Sequence, residues 1–190
     1  MAHMQFTELN IDDKKCLQDI AKKSIAYGLQ HQQSLPINLK NYSELLRIDG
    51  ASFVTLNLNR QLRGCIGTLD AHQPLIKDVA EHAFAAAFMD PRFPPLTENE
   101  FEKLDVHISI LTPATPMTFT SEKDLLSQLQ PGIDGLILQA GLNKGTFLPS
   151  VWEQLSTPEE FLSHLKIKAG LNISDWPDDV QIFRYETISF

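Results

Sequence analysis

Ala51-Ser52-Phe53-Val54-Thr55-Leu56-Asn57-Leu58-Asn59-Arg60-Gln61-Leu62-Arg63-Gly64-Cys65-Ile66-Gly67-Thr68-Leu69 is the stretch on which the fold turns. Ala51–Leu58 and Leu62–Leu69 are both rich in β-formers. Asn59-Arg60-Gln61 is short enough to join them as a hairpin, although the Asn-Gly pair that most favours such a turn is absent. Gly64 and Gly67 weaken a strand interior locally. Their presence on both sides of Cys65 points to a bulge, a turn or the close approach of another backbone. A helix across Ala51–Leu69 would defeat this reading.

The flanking segments alternate between helix and strand. Asn10 is placed to cap a helix starting at Ile11, with Asp12 and Asp13 at its positive end. Cys16, Leu17, Ile20, Ala21, Ser24, Ile25 and Gly28 share one face of it, which puts Cys16 in the core, and the helix ends around His31. One helical turn is expected at Ser43–Leu46. Pro74 suits the first turn of a helix with a broad apolar face from Leu75 to Phe88, and Asp90-Pro91-Arg92-Phe93-Pro94-Pro95 then forces a rigid extended loop. Thr97 with Glu100 reads as a capping box, Val106–Leu111 as a strand, and Ser121 as the cap of a helix through Leu129. Leu136–Gln139 and Thr146–Leu148 read as paired strands. Val151–Leu155 and Glu159–Lys168 read as helices and Val180–Phe190 as one strand. The pattern is α+β, with largely antiparallel sheets and flanking helices, built as two intimately packed lobes. One domain over residues 5–190 is expected, its smaller lobe spanning about 36–90 and unfolding cooperatively with the rest.

The 190 residues are 43% apolar and 21% charged, which fits a globular chain and excludes collagen-like or wholly disordered ones. No run approaches the ~20 apolar residues of a membrane span, so the expectation is a soluble, cytoplasmic protein without membrane association. Met1-Ala2-His3-Met4 resembles an expression scar before a native start at Met4. A formal charge of −8 works against general nucleic-acid binding. Two cysteines make neither a disulfide framework nor a zinc cage, and His72, His82, His107 and His164 form no HExxH or close pair, so no metal and no cofactor are expected.

Two segments carry the chemistry. In the first, Cys65 stands beside Arg63 and near Arg60, whose charges favour a thiolate if the thiol is exposed. The same residues also fit a small thiol packed beside glycines that relieve crowding. In the second, Asp90 and Arg92 can hold a polar ligand together or act as a structural clamp, with Phe93 as a stiff anchor. Arg47, Arg60, Arg63 and Arg92 cluster around the cysteine, leaving only Arg184 elsewhere, and guanidinium groups suit carboxylate and phosphate. His72 is an acid–base partner by proximity in sequence. Both local violations of element propensity fall in one lobe, so Cys65, Arg63 and the Asp90–Pro95 box are expected to converge.

The residues Leu62-Arg63-Gly64-Cys65-Ile66-Gly67, Asp90 with Arg92-Phe93-Pro94-Pro95, Ser109-Ile110-Leu111-Thr112, Phe147-Leu148-Pro149-Ser150-Val151 and Lys168-Ala169-Gly170-Leu171 resemble, in order, the boxes of AMMECR-type domain proteins. The resemblance covers about residues 15–185 and is nearest to bacterial and archaeal members called AmmeMemoRadiSam system protein A. It implies a two-lobed α+β fold with the signature near a groove. It also implies association with a Memo-like protein and a radical-SAM protein. Asp134-Gly135 stands where relatives often have His-Gly. The resemblance implies no reaction.

Two functions follow as expectations. In one, the protein is an enzyme or enzyme component acting on a small or peptide-borne substrate. Cys65 is then the nucleophile or redox thiol, Arg63 and Arg92 hold an anionic group, and Asp90 orients an arginine or exchanges protons. In the other it is a non-catalytic protein- or peptide-binding module, in which Gly64 and Gly67 allow close backbone approach and Phe93 anchors the contact. RNA binding is the least favoured.

Overall fold

A computed structural model describes residues 9–190. The readings of residues 1–4 and of a domain start at residue 5 lie outside the described residues. The fold is α+β, with two four-stranded antiparallel sheets. The chain divides into one unit running up to Leu111 and including Ile188–Phe190, and a second unit, Thr112–Thr187. The 36–90 segment lies inside the first unit.

The first unit is built on β1 (Ser52–Leu58), β2 (Gln61–Gly67), β3 (Leu104–Leu111) and β8 (Thr187–Ser189), in the order β2-β1-β3-β8. The hairpin forms without Asn-Gly. Asn59 and Arg60 both have positive φ, 53° and 65°, as a two-residue turn matched to strand twist demands. Asn tolerates that region; Arg60 is held there by the pairing of the strands on either side. α1 (Ile11–His31) and α2 (Leu75–Phe88) pack on the sheet, and Leu17, Ile25, Val54, Leu56, Ile76, Val79, Ile108 and Ile110 are fully buried among them. Each such side chain contributes roughly 1.5–3 kcal/mol. Asn10 caps α1 through the N–H of Asp13 at 2.8 Å. Cys16 is only partly buried at the rim of this core, and burial pushes its thiol pKa up, helped by Asp19 and Asp13. Pro74 is the N-cap residue of α2 rather than its first helical residue.

The second unit holds β4 (Thr115–Pro116), β5 (Gly135–Ala140), β6 (Asn143–Phe147) and β7 (Gln181–Tyr185), in the order β4-β7-β5-β6. α4 (Glu122–Gln128) is capped by Ser121, and α5 (Pro158–Ala169) by Thr157 with Pro158 in its first turn. Trp152 and Phe161 stack at 3.8 Å in its core. Two expectations are corrected. Pro149–Glu153 is a 3-10 helix, because Pro149 opens a segment too short to settle into α geometry. Val180–Phe190 is two strands, β7 in the second sheet and β8 in the first. Alternation along the chain cannot reveal a change of sheet.

Candidate functional site

β2 is an edge strand, and its register with β1 contains a defect. Gly64 stands opposite Leu56 and Leu62 opposite Asn57, so Arg63 is the extra residue of a β-bulge. Beyond the bulge the ladder is regular. Thr68 donates its N–H to the carbonyl of Ser52 at 3.1 Å. By antiparallel alternation the backbone groups of Gly64, Ile66 and Thr68 point at β1, and those of Cys65 and Gly67 point at the free edge.

The loop after α2 meets that edge. Asp90 Oδ2 accepts the N–H of Cys65 at 2.9 Å. Arg92 Nη2 donates to the Cys65 carbonyl at 3.3 Å and to Asp90 Oδ2 at 2.6 Å, while its Nε donates to Asp90 Oδ1 at 2.9 Å. One carboxylate and one guanidinium thus serve Cys65 as a neighbouring strand would, and close this part of an edge that would otherwise invite pairing. The Arg92 side chain beside it, with the N–H groups of Cys65 and Arg92, holds the Asp90 carboxyl well below the usual range although burial opposes this. The Asp90 carboxylate raises the Arg92 pKa in return.

Arg63 turns inward at the bulge, and its side chain is 9% exposed. It grips Glu100 through Nε to Oε1 at 2.8 Å and Nη2 to Oε2 at 3.2 Å, and donates to the Pro94 carbonyl at 2.9 Å. Glu100 also closes the capping box of α3 (Glu98–Phe101) by accepting from the Thr97 N–H at 2.9 Å. The Arg63 contact brings its carboxyl down to about 2. Two guanidinium groups lie over the Phe93 ring, that of Arg63 5.8 Å and that of Arg92 5.5 Å from its centroid. Arg63 Nη1 is buried without a hydrogen-bond partner among the described residues.

The structure therefore joins Cys65 to Asp90 and Arg92 by hydrogen bonds, and Arg63 and Arg92 to the Phe93 ring, while Gly64 and Gly67 flank Cys65 on β2. Both glycines answer to close approach. A Cβ on Gly64 would sit 2.1 Å from the Ala86 carbonyl oxygen in α2, and one on Gly67 would meet the Phe53 ring at 2.3 Å. The Cys65 thiol is on the opposite face of the sheet from α2, partly exposed, and accepts the Thr55 hydroxyl at 3.3 Å across the hairpin. Thr55 and Glu100 are the site residues the sequence reading did not assign. Glu100 was visible only as a cap, and Thr55 only through its register opposite Cys65.

Other sequence candidates lie elsewhere. His72 Nδ1 is 2.9 Å from the Asp70 carbonyl, and the exposed His107 meets Asp105 at 2.8 Å. His82 contacts the fully buried Asp78 at 3.1 Å, and Asp78 accepts from Ser52 Oγ at 2.6 Å. The carboxylate thus separates the imidazole from the hydroxyl, which is not the order a nucleophilic serine requires. Asp134 is buried in the second unit. Its carboxylate accepts the Gln130 N–H at 2.8 Å, and its carbonyl accepts from Trp152 Nε1 at 2.7 Å. Arg184 Nε lies 3.2 Å from it without hydrogen-bond alignment. Burial raises the Asp134 pKa, and the residue serves as a packing tie. Among the described residues no group of three or more His, Cys, Asp or Glu side chains could hold a metal ion, and no helix is long and apolar enough to cross a membrane.

The AMMECR1 family pattern matches residues 18–190, and the chain belongs to that family. It is 34% identical over 189 residues to a protein of Methanothermobacter thermautotrophicus, covering 98% of each chain. It is 36% identical over 170 residues to one of Thermotoga maritima, covering 87% of this chain and 89% of the other. The crystal structure of an uncharacterized protein from Pyrococcus horikoshii is similar with a TM-score of 0.82 and 30% identity, over 91% of this chain and 88% of that one.

Proposed function

We propose that this protein is a thiol-dependent component acting on a small or peptide-borne substrate at the β2 edge, with Cys65 as the reacting group. Following the resemblance to AmmeMemoRadiSam system protein A, its partners are a Memo-like protein and a radical-SAM protein. The observation that carries the reading is the asymmetry at Cys65. Asp90 and Arg92 fix its backbone from the edge, while its thiol is left on the outward face with the Thr55 hydroxyl as its partner. Fixing the backbone of a nucleophile without enclosing its sulfur is the arrangement that orients attack on a bound group. Asp90 acts here by orientation. Held ionised by Arg92, its carboxylate accepts hydrogen bonds and does not exchange protons near neutral pH.

A second reading, a non-catalytic peptide-binding module, is favoured by a different observation. Both charged pairs of the signature and the loop are satisfied by each other, so neither offers the thiol a free base. The test that separates the two is alkylation by iodoacetamide at pH 7.5, followed site by site by mass spectrometry. Cys65 reacting at least tenfold faster than Cys16 supports the thiol reading. Cys65 reacting no faster than Cys16 removes it and leaves the binding module. Calorimetry with the neighbouring Memo-like and radical-SAM proteins tests the partners; no heat with either, alone or together, removes them.

A further inference from the structure

The clamp stops short of the end of β2. Asp90 and Arg92 occupy the outward N–H and C=O of Cys65, and Arg92 sits on the carbonyl side, which faces along the strand toward residue 67. The next outward-pointing backbone groups are those of Gly67, about 6.8 Å further along at 3.4 Å per residue. Among the described residues no protein group meets the Gly67 N–H or C=O on the edge side. Gly67 carries no side chain to screen them. Arg92 is the neighbouring cation. Its Nε and Nη2 are committed to Asp90 and Cys65, its Nη1 has no acceptor among the described residues, and its side chain is 53% exposed. The edge thus presents one backbone donor and one backbone acceptor of β2 that no described residue meets, with the remaining guanidinium end of the Arg92 loop beside them.

We infer that this edge binds the C-terminal residue of an extended peptide. The residue opposite Gly67 in an added antiparallel strand donates its N–H to the Gly67 carbonyl. Where an internal residue would offer a carbonyl to the Gly67 N–H, a terminal residue offers a carboxylate. One carboxylate oxygen accepts from Gly67 and the other reaches Arg92 Nη1. The peptide runs antiparallel to β2 and ends there, because Asp90 and Arg92 already fill the next pairing position at Cys65. Strand addition supplies the backbone bonds and the guanidinium supplies the preference for a free terminus. An internal peptide segment fails on both counts: its continuation collides with the clamp and it carries no charge for Arg92.

The inference rests on the proposed function only in placing the substrate at the β2 edge, and its test is separate from that of the thiol. The uniformly labelled protein is titrated by NMR with a pool of N-acetylated random tetrapeptides bearing a free C-terminal carboxylate, with the same pool amidated, and with acetate. The free-acid pool should shift the Gly67 amide and the Arg92 side-chain Nε–H, with affinity at least tenfold above the amidated pool. Arg92→Lys, which keeps the charge but lacks the guanidinium fork, should lose the preference while circular dichroism confirms its fold. Equal shifts with acid and amide pools overturn the assignment, as do shifts that avoid Gly67, or acetate acting at the same concentration as the acid pool. A slow Cys65 thiol with acid-dependent peptide binding removes the thiol reading alone. A fast thiol without Gly67 shifts removes the peptide assignment alone.

Discussion

Asp90 accepts the backbone N–H of Cys65 at 2.9 Å from 25 residues away, and through that bond the Asp-x-Arg loop and the signature strand become one structure. The carboxylate is buried and ionised, and the four donors that keep it so all come from Cys65 and Arg92. Its removal should therefore be felt at the strand edge before it is felt in the core.

Asp90→Asn should lower stability by about 2 kcal/mol, the scale for losing hydrogen bonds to a charged group. The partner left behind, Arg92, is half exposed and can turn to water, which keeps the loss moderate. Hydrogen exchange at the Cys65 amide should accelerate at least tenfold, with amides in α1 unchanged. Unaltered protection at Cys65 would show that the edge is closed by something else.

Glu100→Gln should cost more, about 3 kcal/mol, because it strands the buried Arg63 guanidinium. Arg63→Met with Glu100→Gln should recover part of that loss, since the pair leaves together. Urea denaturation of the two single variants and the double variant gives the coupling. Strict additivity would contradict the contact.

Gly64→Ala places a methyl where the Ala86 carbonyl oxygen already stands, and neither β2 nor α2 can yield without disturbing the core. Overpacking of this kind costs about 1–3 kcal/mol, and here the upper end is expected. Thermal unfolding should show a drop of several degrees. A variant as stable as the parent would mean that the helix-to-strand distance is larger than described.

Acid should destabilise the protein through the same two carboxylates. Glu100 has a folded pKa of about 2 against an ordinary 4.5, and Asp90 is also depressed. A depressed pKa contributes stability that is complete above the unfolded value and is lost as pH falls toward the folded one. Stability measured by denaturant should therefore be flat above pH 5 and fall between about pH 4.5 and 2. For Glu100 the loss is on the order of 3 kcal/mol. Glu100→Gln should flatten that slope, and an unchanged slope would assign the acid sensitivity elsewhere.

Much of this architecture is legible in the chain because its signals are local. Asn10 and Ser121 each act on an N–H within a few residues, Thr97 forms its capping box with Glu100, and all three cap the helices expected of them. The hairpin and the close-approach reading of Gly64 and Gly67 are legible for the same reason. A bulge is among the readings those glycines admit, but its position is not legible, since a strand of seven residues reads alike whether or not Arg63 is surplus to its partner. The Arg63–Glu100 contact joins residues 37 apart, and no pattern within either segment specifies it. Asp90 and Arg92 read equally as ligand holders or as a clamp; only the position of the Cys65 backbone shows that they clamp, and that Arg92 keeps one end free.

The separation of β8 from the rest of its sheet bears on how the chain finds its fold. β3 and β8 pair only after residues 112–187 have been traversed, a loop closure that costs several kcal/mol of entropy in a flexible chain. The two ends of that intervening unit are fastened to each other. Thr112 donates its N–H to the Glu186 carbonyl at 2.9 Å, and Glu186 returns its N–H to the Thr112 hydroxyl at 2.8 Å. Once the second unit has folded, its entry and exit are already adjacent, and β8 is delivered to β3 as if from a short turn. The second unit completes its sheet from its own residues, and its folding lowers the entropy cost of bringing the fourth strand to the first sheet.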